Sequence, residues 1–353
     1  MGQAVNILIV KLGSIGDIVH TLPALAALRQ RFPGARIDWL VESRSRDILL
    51  GNPQVDNLLE VDTLSWRRRM GHLDTWKNIV RSVRALRGCR YDVILDFQGL
   101  LKSAVCSFLA RGSRRIGFDR GHLRESLARF FTTERLAPGG DHRHVIDRNL
   151  YLLTSLGVET RDRSFSIVVP EEMEALAETT LQSWQLADYV ALNPGGGWET
   201  KRWPPERFGL LATDIRKETG LQSLVLWGPG EKEIAESVVR EAGGAARLAP
   251  PTELRQMISY LRRARLFVGG DTGPLHIASA LGVPVVGIYG PTDPERNGPA
   301  GAADRVVVHS VPCGPCYKRR CPGFDNVCLR AMEERAVLDA VRLRLAVGRE
   351  AAV

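Results

Sequence analysis

Short apolar runs alternate along the chain with segments whose apolar residues recur every three or four positions. NILIV (6–10), RIDWLVE (36–42), NLLEV (57–61), YDVILDF (91–97) and RRIGF (114–118) have the length and content of strands. Between them, TLPALAALRQRF (21–32) and TWKNIVRSVRALRG (75–88) space their apolar residues for one face of a helix. The second half repeats the theme with YVALNPG (189–195), SLVLWGPG (223–230), RLFVGGD (265–271), VPVVGIYG (283–290) and RVVVH (305–309). Strands alternating with helices predict parallel sheets covered on both faces. A less regular stretch, roughly 140 to 185, separates the halves and carries a helical pattern at HVIDRNLYLLTSLG (144–157). The boundary is placed at Val169 and Pro170, giving domains of residues 1–169 and 170–353. The expected class is α/β, two doubly wound, Rossmann-like domains facing across a cleft, with ligands at the carboxyl ends of the strands.

Length fits this division, since 353 residues suit two domains of about 150 to 200 each. A composition of 44% hydrophobic and 25% charged residues is that of an ordinary globular chain. No apolar run approaches the roughly 20 residues of a membrane span. The first ten residues read as an opening strand, not a signal peptide, so the cytoplasm is the expected location. Charge changes the picture more. The net +8 is uneven, with Arg67, Arg68 and Arg69 consecutive and Arg111, Arg114, Arg115, Arg120 and Arg124 crowding a second segment. Such clusters favour an anionic partner, a phosphorylated substrate or an acidic membrane face. Nucleic acid ranks last, because no aromatic residues interleave the arginines.

Two loops carry candidate chemistry. The first, VKLGSIGDIVH (10–20), is a strand, a glycine turn and a helix start, yet it matches neither G-x-G-x-x-G nor G-x-x-x-x-G-K-[ST]. Its Asp17 would repel an incoming diphosphate. The second is RLFVGGDTGPLHIASALGVPVVGIYGPTDP (265–294). Pro274 suits the first turn of a helix that Gly282 ends. The unpaired amides and dipole at 273 to 275 make an anion site, to which His276 adds a donor. The ordinary alternative is a compact turn with Thr272 as cap and a core-facing His276.

KLGSIGDIVHTLPAL, DFQGLLKSA (96–104), NPGGGWETKRWP (193–204), DTGPLH (271–276) and YGPTDP (289–294) follow one another in an informative order. Together they resemble the bacterial lipopolysaccharide heptosyltransferases, glycosyltransferase family nine, over nearly the whole chain. QGLLKSA and the three arginines after Trp66 look most like the heptosyltransferase I members. The resemblance implies a GT-B fold. Its N-terminal domain would bind the acceptor and its C-terminal domain the nucleotide sugar, with the final helix free to pack back on the first domain. It implies an inverting glycosyltransferase that moves heptose from ADP-heptose to Kdo–lipid A in inner-core synthesis. The enzyme would work as a monomer, cytoplasmic and peripheral at the inner membrane, with no cofactor and no metal. A later inner-core acceptor, or a nucleotide-sugar 2-epimerase of the same architecture, is the alternative.

Residue by residue, Asp17 matches the family's base, taking the proton of an acceptor hydroxyl as it attacks the anomeric carbon. This removes the conflict with diphosphate. Lys11, Gly13, Ser14, Gly16 and His20 line the acceptor loop, and Arg67, Arg68, Arg69 and Lys102 face acceptor phosphates or carboxylates. Lys102 has a second reading as a helix cap. Lys201 matches the diphosphate lysine, with Asp271, Thr272, Gly273, Pro274 and His276 on the other side of the diphosphate. Gly196 and Gly197 stand where related chains often carry hydroxyls, leaving backbone N–H donation. Glu231 is the candidate ribose acceptor, with Glu233 nearly as well placed. Cys313, Cys316, Cys321 and Cys328, spaced C-x2-C-x4-C-x6-C, are read as thiols packed in a loop outside the motif-bearing turns, with zinc as the alternative. Lys318, Arg319 and Arg320 give that loop a basic rim.

Overall fold

The computed structural model describes residues 5–323 and 325–347, which divide into two compact units, Met1–Val168 and Val169–Val353. The first contains strands β1 (Asn6–Val10), β2 (Arg36–Glu42), β3 (Asn57–Val61), β4 (Arg90–Asp96), β5 (Arg111–Phe118) and β6 (Glu134–Leu136). Helices α1 (Ile15–Val19), α2 (Leu22–Arg31), α3 (Thr63–Arg68), α4 (Leu73–Leu86), α5 (Leu101–Leu109) and α6 (Val145–Leu152) cover it. The second contains β7 (Tyr189–Asn193), β8 (Gln222–Val225), β9 (Ala246–Leu248), β10 (Leu266–Gly270), β11 (Val285–Tyr289) and β12 (Arg305–Val308). Its helices are α7 (Glu171–Ser183), α8 (Pro205–Thr219), α9 (Lys232–Glu241), α10 (Leu254–Arg263), α11 (Gly273–Ala280), α12 (Pro294–Asn297), α13 (Val327–Arg330) and α14 (Glu334–Val347).

Both six-stranded sheets have the same topology: β3-β2-β1-β4-β5-β6 in the first and β12-β11-β10-β7-β8-β9 in the second. All pairs are parallel, and each sheet reads 3-2-1-4-5-6 when numbered within its own domain. The direction of winding reverses between β1 and β4, and again between β7 and β10. Chain connections leave such a switch point in opposite directions and open a crevice at the carboxyl ends of the strands. The loops after β1, β4, β7 and β10 stand at these two places, and four of the quoted motifs lie in them.

The long apolar runs form strands as their pattern predicts, and each half builds its own core. One apolar cluster joins Leu8, Val10, Leu40, Ile94 and Cys106; another joins Val190, Trp203, Phe208, Val268 and Val341. Two strands, β6 and β9, are absent from the sequence reading. Each has three residues, too few to show a period, and each is held as an edge by pairing to β5 or β8. The stretch 140 to 185 is more regular than expected, because α7 fills its end.

The final helix joins the second core. The described part of α14 lies on the second domain, with Val337, Leu338 and Val341 in that core. It also contributes Arg344, whose guanidinium is wholly buried and donates to Asp304 Oδ1 at 3.0 Å. Asp304 also accepts from the Val285 amide (2.9 Å) and the Ser279 hydroxyl (3.1 Å). Burial nevertheless pushes its carboxyl upward. Removing one partner of such a pair leaves an uncompensated buried charge, so Arg344→Leu should cost about 3–5 kcal/mol. Denaturant titration measures this, and adding Asp304→Asn should recover part of the loss; full stability of the single variant would remove the pair from the fold's support.

Candidate active site

In the first domain β1 delivers Lys11 and the glycine loop to the switch point. Lys11 is buried, its ammonium 2.9 Å from the Phe97 carbonyl and 3.9 Å from Asp17 Oδ1. The loop amides of Leu12 and Gly13 donate to Gln98 Oε1 at 3.1 and 3.3 Å, so the loops after β1 and β4 brace each other. Asp96, fully buried at the end of β4, shapes the second loop by accepting from the Gln98 and Gly99 amides and the Ser103 hydroxyl. Burial pushes the Asp96 carboxyl upward against these donors and the nearby Lys11.

Asp17 lies in the first turn of α1. Its Oδ2 accepts from the Ser14 amide (2.9 Å) and the Ser14 hydroxyl (3.3 Å), which fixes the carboxylate. Its side chain is still 41% exposed. The carboxylate is therefore oriented by its own turn and open to an incoming hydroxyl. Gly16 is buried inside α1, and the buried His20 ring meets His144 edge-on at 5.7 Å. The Lys11 ammonium is turned inward, towards Asp17.

Lys102 is paired as well. Its ammonium is 3.0 Å from Glu42, a carboxylate that is itself buried and also hydrogen-bonded by Thr63. It neutralises a buried charge and is neither a helix cap nor an uncommitted phosphate ligand. Arg67, Arg68 and Arg69, at the end of α3, are all exposed and make no ion pair among the described residues. Arg69 lines a cavity of about 440 Å³ with Asp62, Trp66, His72 and Arg81. Because α3 follows β3, the triplet stands on the same carboxyl edge of the sheet as the Asp17 loop.

In the second domain the organising group is Asp271, at the end of β10 and only 4% exposed. Lys201 Nζ donates to its Oδ2 at 2.7 Å and to its carbonyl at 2.9 Å, while His276 Nε2 is 3.0 Å from Oδ1. Asn297 Nδ2 is 3.4 Å from Oδ2. Burial raises the Asp271 carboxyl, but the His276 and Lys201 partners outweigh it and hold it well below the usual carboxylate range. So Asp271 is a fixed anion that positions two donors, and being buried it leaves the surface charge to Lys201. The close approach also explains Gly270: a Cβ there would lie 2.5 Å from the Lys201 carbonyl.

Thr272 stands at the start of α11 but makes no side-chain cap; its hydroxyl turns back to the Gly270 carbonyl at 3.3 Å. With Pro274 in the first turn, the amide end of α11 is left for an anion. Lys201 also lies over the Trp198 ring, 4.7 Å from its centroid, and the Arg319 guanidinium is 5.3 Å from the same centroid. The Thr200 hydroxyl donates to the Lys318 carbonyl at 2.7 Å. The cysteine-bearing loop therefore docks on the 198–201 turn, a placement the sequence reading missed when it set that loop apart.

Glu231 ties two glycine loops together. Its Oε1 accepts the Gly196 amide at 2.7 Å and its Oε2 the Gly228 amide at 2.9 Å. A side chain on Gly195 would run into the same carboxylate. The residue read as a ribose ligand is a strap between two glycine loops, and the Gly196 amide expected to face a diphosphate is engaged by it. Gly197 has open space beside it, and Arg202 Nε donates to the Gly196 carbonyl at 2.8 Å. Of the cysteines, Cys313 is exposed and Cys316, Cys321 and Cys328 are half-buried. Burial, with the neighbouring thiols, pushes the Cys328 thiol up. Among the described residues no three His, Cys, Asp or Glu side chains form a group able to hold a metal.

Comparison with known proteins fits this arrangement. The family profile described as Glycosyltransferase family 9 (heptosyltransferase) matches residues 79–324. The chain is 32% identical over 327 residues to lipopolysaccharide heptosyltransferase 1 of Pseudomonas aeruginosa, covering 90% of this chain and 87% of the relative. Two solved structures of the E. coli heptosyltransferase WaaC are each 28% identical and cover 96% of this chain. The one with ADP has a TM-score of 0.77 and 99% of its chain covered; the one with ADP-2-deoxy-2-fluoro heptose has 0.71 and 98%. The paired 3-2-1-4-5-6 sheets are thus those of a GT-B fold, and the chain belongs to glycosyltransferase family 9, the heptosyltransferases, most like type I.

Proposed function

We propose that the protein transfers heptose from ADP-heptose to Kdo–lipid A in lipopolysaccharide inner-core synthesis, with inversion at the anomeric carbon. It would act as a monomer at the cytoplasmic face of the inner membrane, with no metal and no cofactor. Both domain cores close within the chain, which supports the monomer. Among the described residues no helix is long and apolar enough to cross a membrane, which suits a peripheral enzyme. The observation that carries the reading is the Lys201–Asp271–His276 group beside the uncapped end of α11, a fixed set of donors suited to a diphosphate.

In this reading Asp17 Oδ1 takes the proton of the acceptor hydroxyl while its Oδ2 stays on Ser14. The acceptor oxygen forms its bond to the anomeric carbon as the bond from that carbon to the diphosphate oxygen breaks. Charge then grows on the leaving phosphate, where Lys201 and the α11 amides stabilise it without reorganising. Arg67, Arg68 and Arg69 suit bidentate contact with acceptor phosphates or carboxylates. The epimerase alternative needs no anionic acceptor and leaves these exposed arginines without a task. Incubation with ADP-heptose and defined lipid acceptors, read by mass spectrometry of the lipid, tests the whole reading.

Three outcomes follow for single steps. Asp17→Asn keeps the contacts to Ser14 but removes proton-accepting power, so kcat should fall roughly 100-fold or more with ADP affinity unchanged. Near-normal turnover would exclude Asp17 as the base.

Lys201→Gln keeps a donor for Asp271 but loses the cation, so the affinity for ADP alone should fall about tenfold or more. Calorimetry without acceptor reads this directly; equal affinity in variant and parent would take Lys201 out of the diphosphate site.

Changing Arg67, Arg68 and Arg69 together to Gln should raise the acceptor KM at low salt and leave ADP binding alone. The difference should shrink at high salt, since exposed charges are screened beyond about 8 Å at physiological ionic strength. An unchanged acceptor KM at low salt would move the acceptor anions elsewhere.

A further inference from the structure

All eight large hydrophobic side chains exposed in the described part of the first domain lie between residues 70 and 130. They are Met70, Leu73, Trp76 and Val80 around α4, Leu101 and Phe108 on α5, and Leu127 and Phe130 on the 3₁₀ turn Ser126–Phe131. These elements are neighbours: α3 packs on α4, α4 on α5, and α5 on the 126–131 turn. The scatter expected of isolated surface hydrophobics is replaced by a cluster on one set of packed elements.

On α4 the arrangement is directional. Thr75 and Leu86 are buried and Ile79 and Val83 partly so, which accounts for the inward face. Leu73, Trp76 and Val80 fall at three- and four-residue spacing on a stripe beside that face, exposed by 79%, 51% and 44%. Lys77, Arg84 and Arg87 share that stripe, and Arg81 borders it. Helical burial thus leaves an apolar stripe towards solvent with cations along it. Segment 67–130 holds 15 Arg and Lys against 5 Asp and Glu, a net +10, while the whole chain is only +8. The remainder is slightly acidic, so the basic excess of the protein coincides with the exposed apolar surface of its first domain.

We propose that this α4–α5–Ser126–Phe131 face docks on an anionic lipid bilayer, with Leu73, Trp76, Val80, Phe108, Leu127 and Phe130 entering the interface and the arginines meeting lipid phosphates. Apolar side chains flanked by Arg and Lys are the pattern by which a surface element lies in a membrane interface, and the indole of Trp76 favours that depth. Charge complementarity selects the bilayer over a second copy of the chain, since two such faces would bring their net positive charge together. The inference deepens the proposed function, which already requires a lipid-linked acceptor, by naming the surface that holds the enzyme at the lipid.

The test uses the full chain, without donor or acceptor, in co-sedimentation with vesicles of phosphatidylcholine alone or mixed with phosphatidylglycerol. The parent should bind the mixed vesicles, weakly or not at all the neutral ones, and lose binding as salt rises. Leu73→Ser with Phe130→Ser should weaken binding roughly tenfold or more while melting temperature and ADP affinity stay as in the parent. If that variant does not fold, Arg81→Gln, Arg84→Gln and Arg87→Gln together should give a loss of about tenfold or more at low salt. Parent protein that ignores phosphatidylglycerol, or folded variants that bind as the parent does, would overturn the proposal. So would sedimentation velocity showing a parent dimer that the Leu73/Phe130 variant abolishes, which would assign the face to a second copy. Heptose transfer to a soluble acceptor fragment with no vesicle binding would sink the docking face and leave the transferase reading standing; vesicle binding without ADP binding would do the reverse.

Discussion

The carboxylate of Asp271 is the constraint on which the second domain's site depends. A buried anion is costly unless it is paired and hydrogen-bonded, and this one takes Lys201, His276 and Asn297 at once. Those partners come from the 199–201 turn, the first turn of α11 and the end of α12. The Lys201 turn, 70 residues before Asp271, is thereby fixed beside two later segments at the end of β10. Gly270 permits the approach, because any side chain there would strike the Lys201 carbonyl. The same contacts that stabilise the turn aim its cation, so building the site and supporting the fold are one act.

The first domain solves a related problem with the opposite emphasis. Asp17 stays accessible, its Oδ2 held by its own helix turn and its Oδ1 facing Lys11, while the buried anions Asp96 and Glu42 do the scaffolding. Lys11 and Lys102 are consumed by that scaffolding. The cations left for an outside partner are the arginines, whose stems and guanidinium forks need no burial. The first domain therefore keeps its scaffolding charge inside and paired and leaves Arg67, Arg68 and Arg69 exposed at the carboxyl edge of the sheet.

How far this was legible in the sequence depends on the range of the contacts involved. Strands with four or more apolar residues declare themselves, and so does the dinucleotide-like alternation that led to two doubly wound domains. The edge strands β6 and β9 do not, because three residues carry no period and only their neighbours make them strands. At the candidate site, the turns and their glycines were readable as places, and Asp17, Lys201 and the α11 start lie in them. Their partnerships were not. Glu231 reaches back to Gly196 and Lys102 reaches Glu42, contacts set by tertiary approach that no local spacing announces. Docking of the 313–328 loop on Trp198 and Thr200 is of the same kind.

On the proposed reading the second domain's site must first stabilise and then release a diphosphate, which a weakly cationic set of donors allows. Here Lys201 brings one positive charge and Asp271 removes most of it at distance, leaving the directional donors of Lys201, His276 and the α11 amides. Such donors act at hydrogen-bond range and fall away steeply beyond it, so they favour the oxygen on which charge grows over the diphosphate as a whole. The basic excess is instead concentrated in the segment 67–130, where exposed charges act over a Debye length and can gather an anionic surface. On the proposed reading, long-range attraction of an anionic surface and short-range stabilisation of the leaving phosphate ask for different arrangements of charge, the first met by the exposed arginines of the first domain and the second by the paired donors of the second.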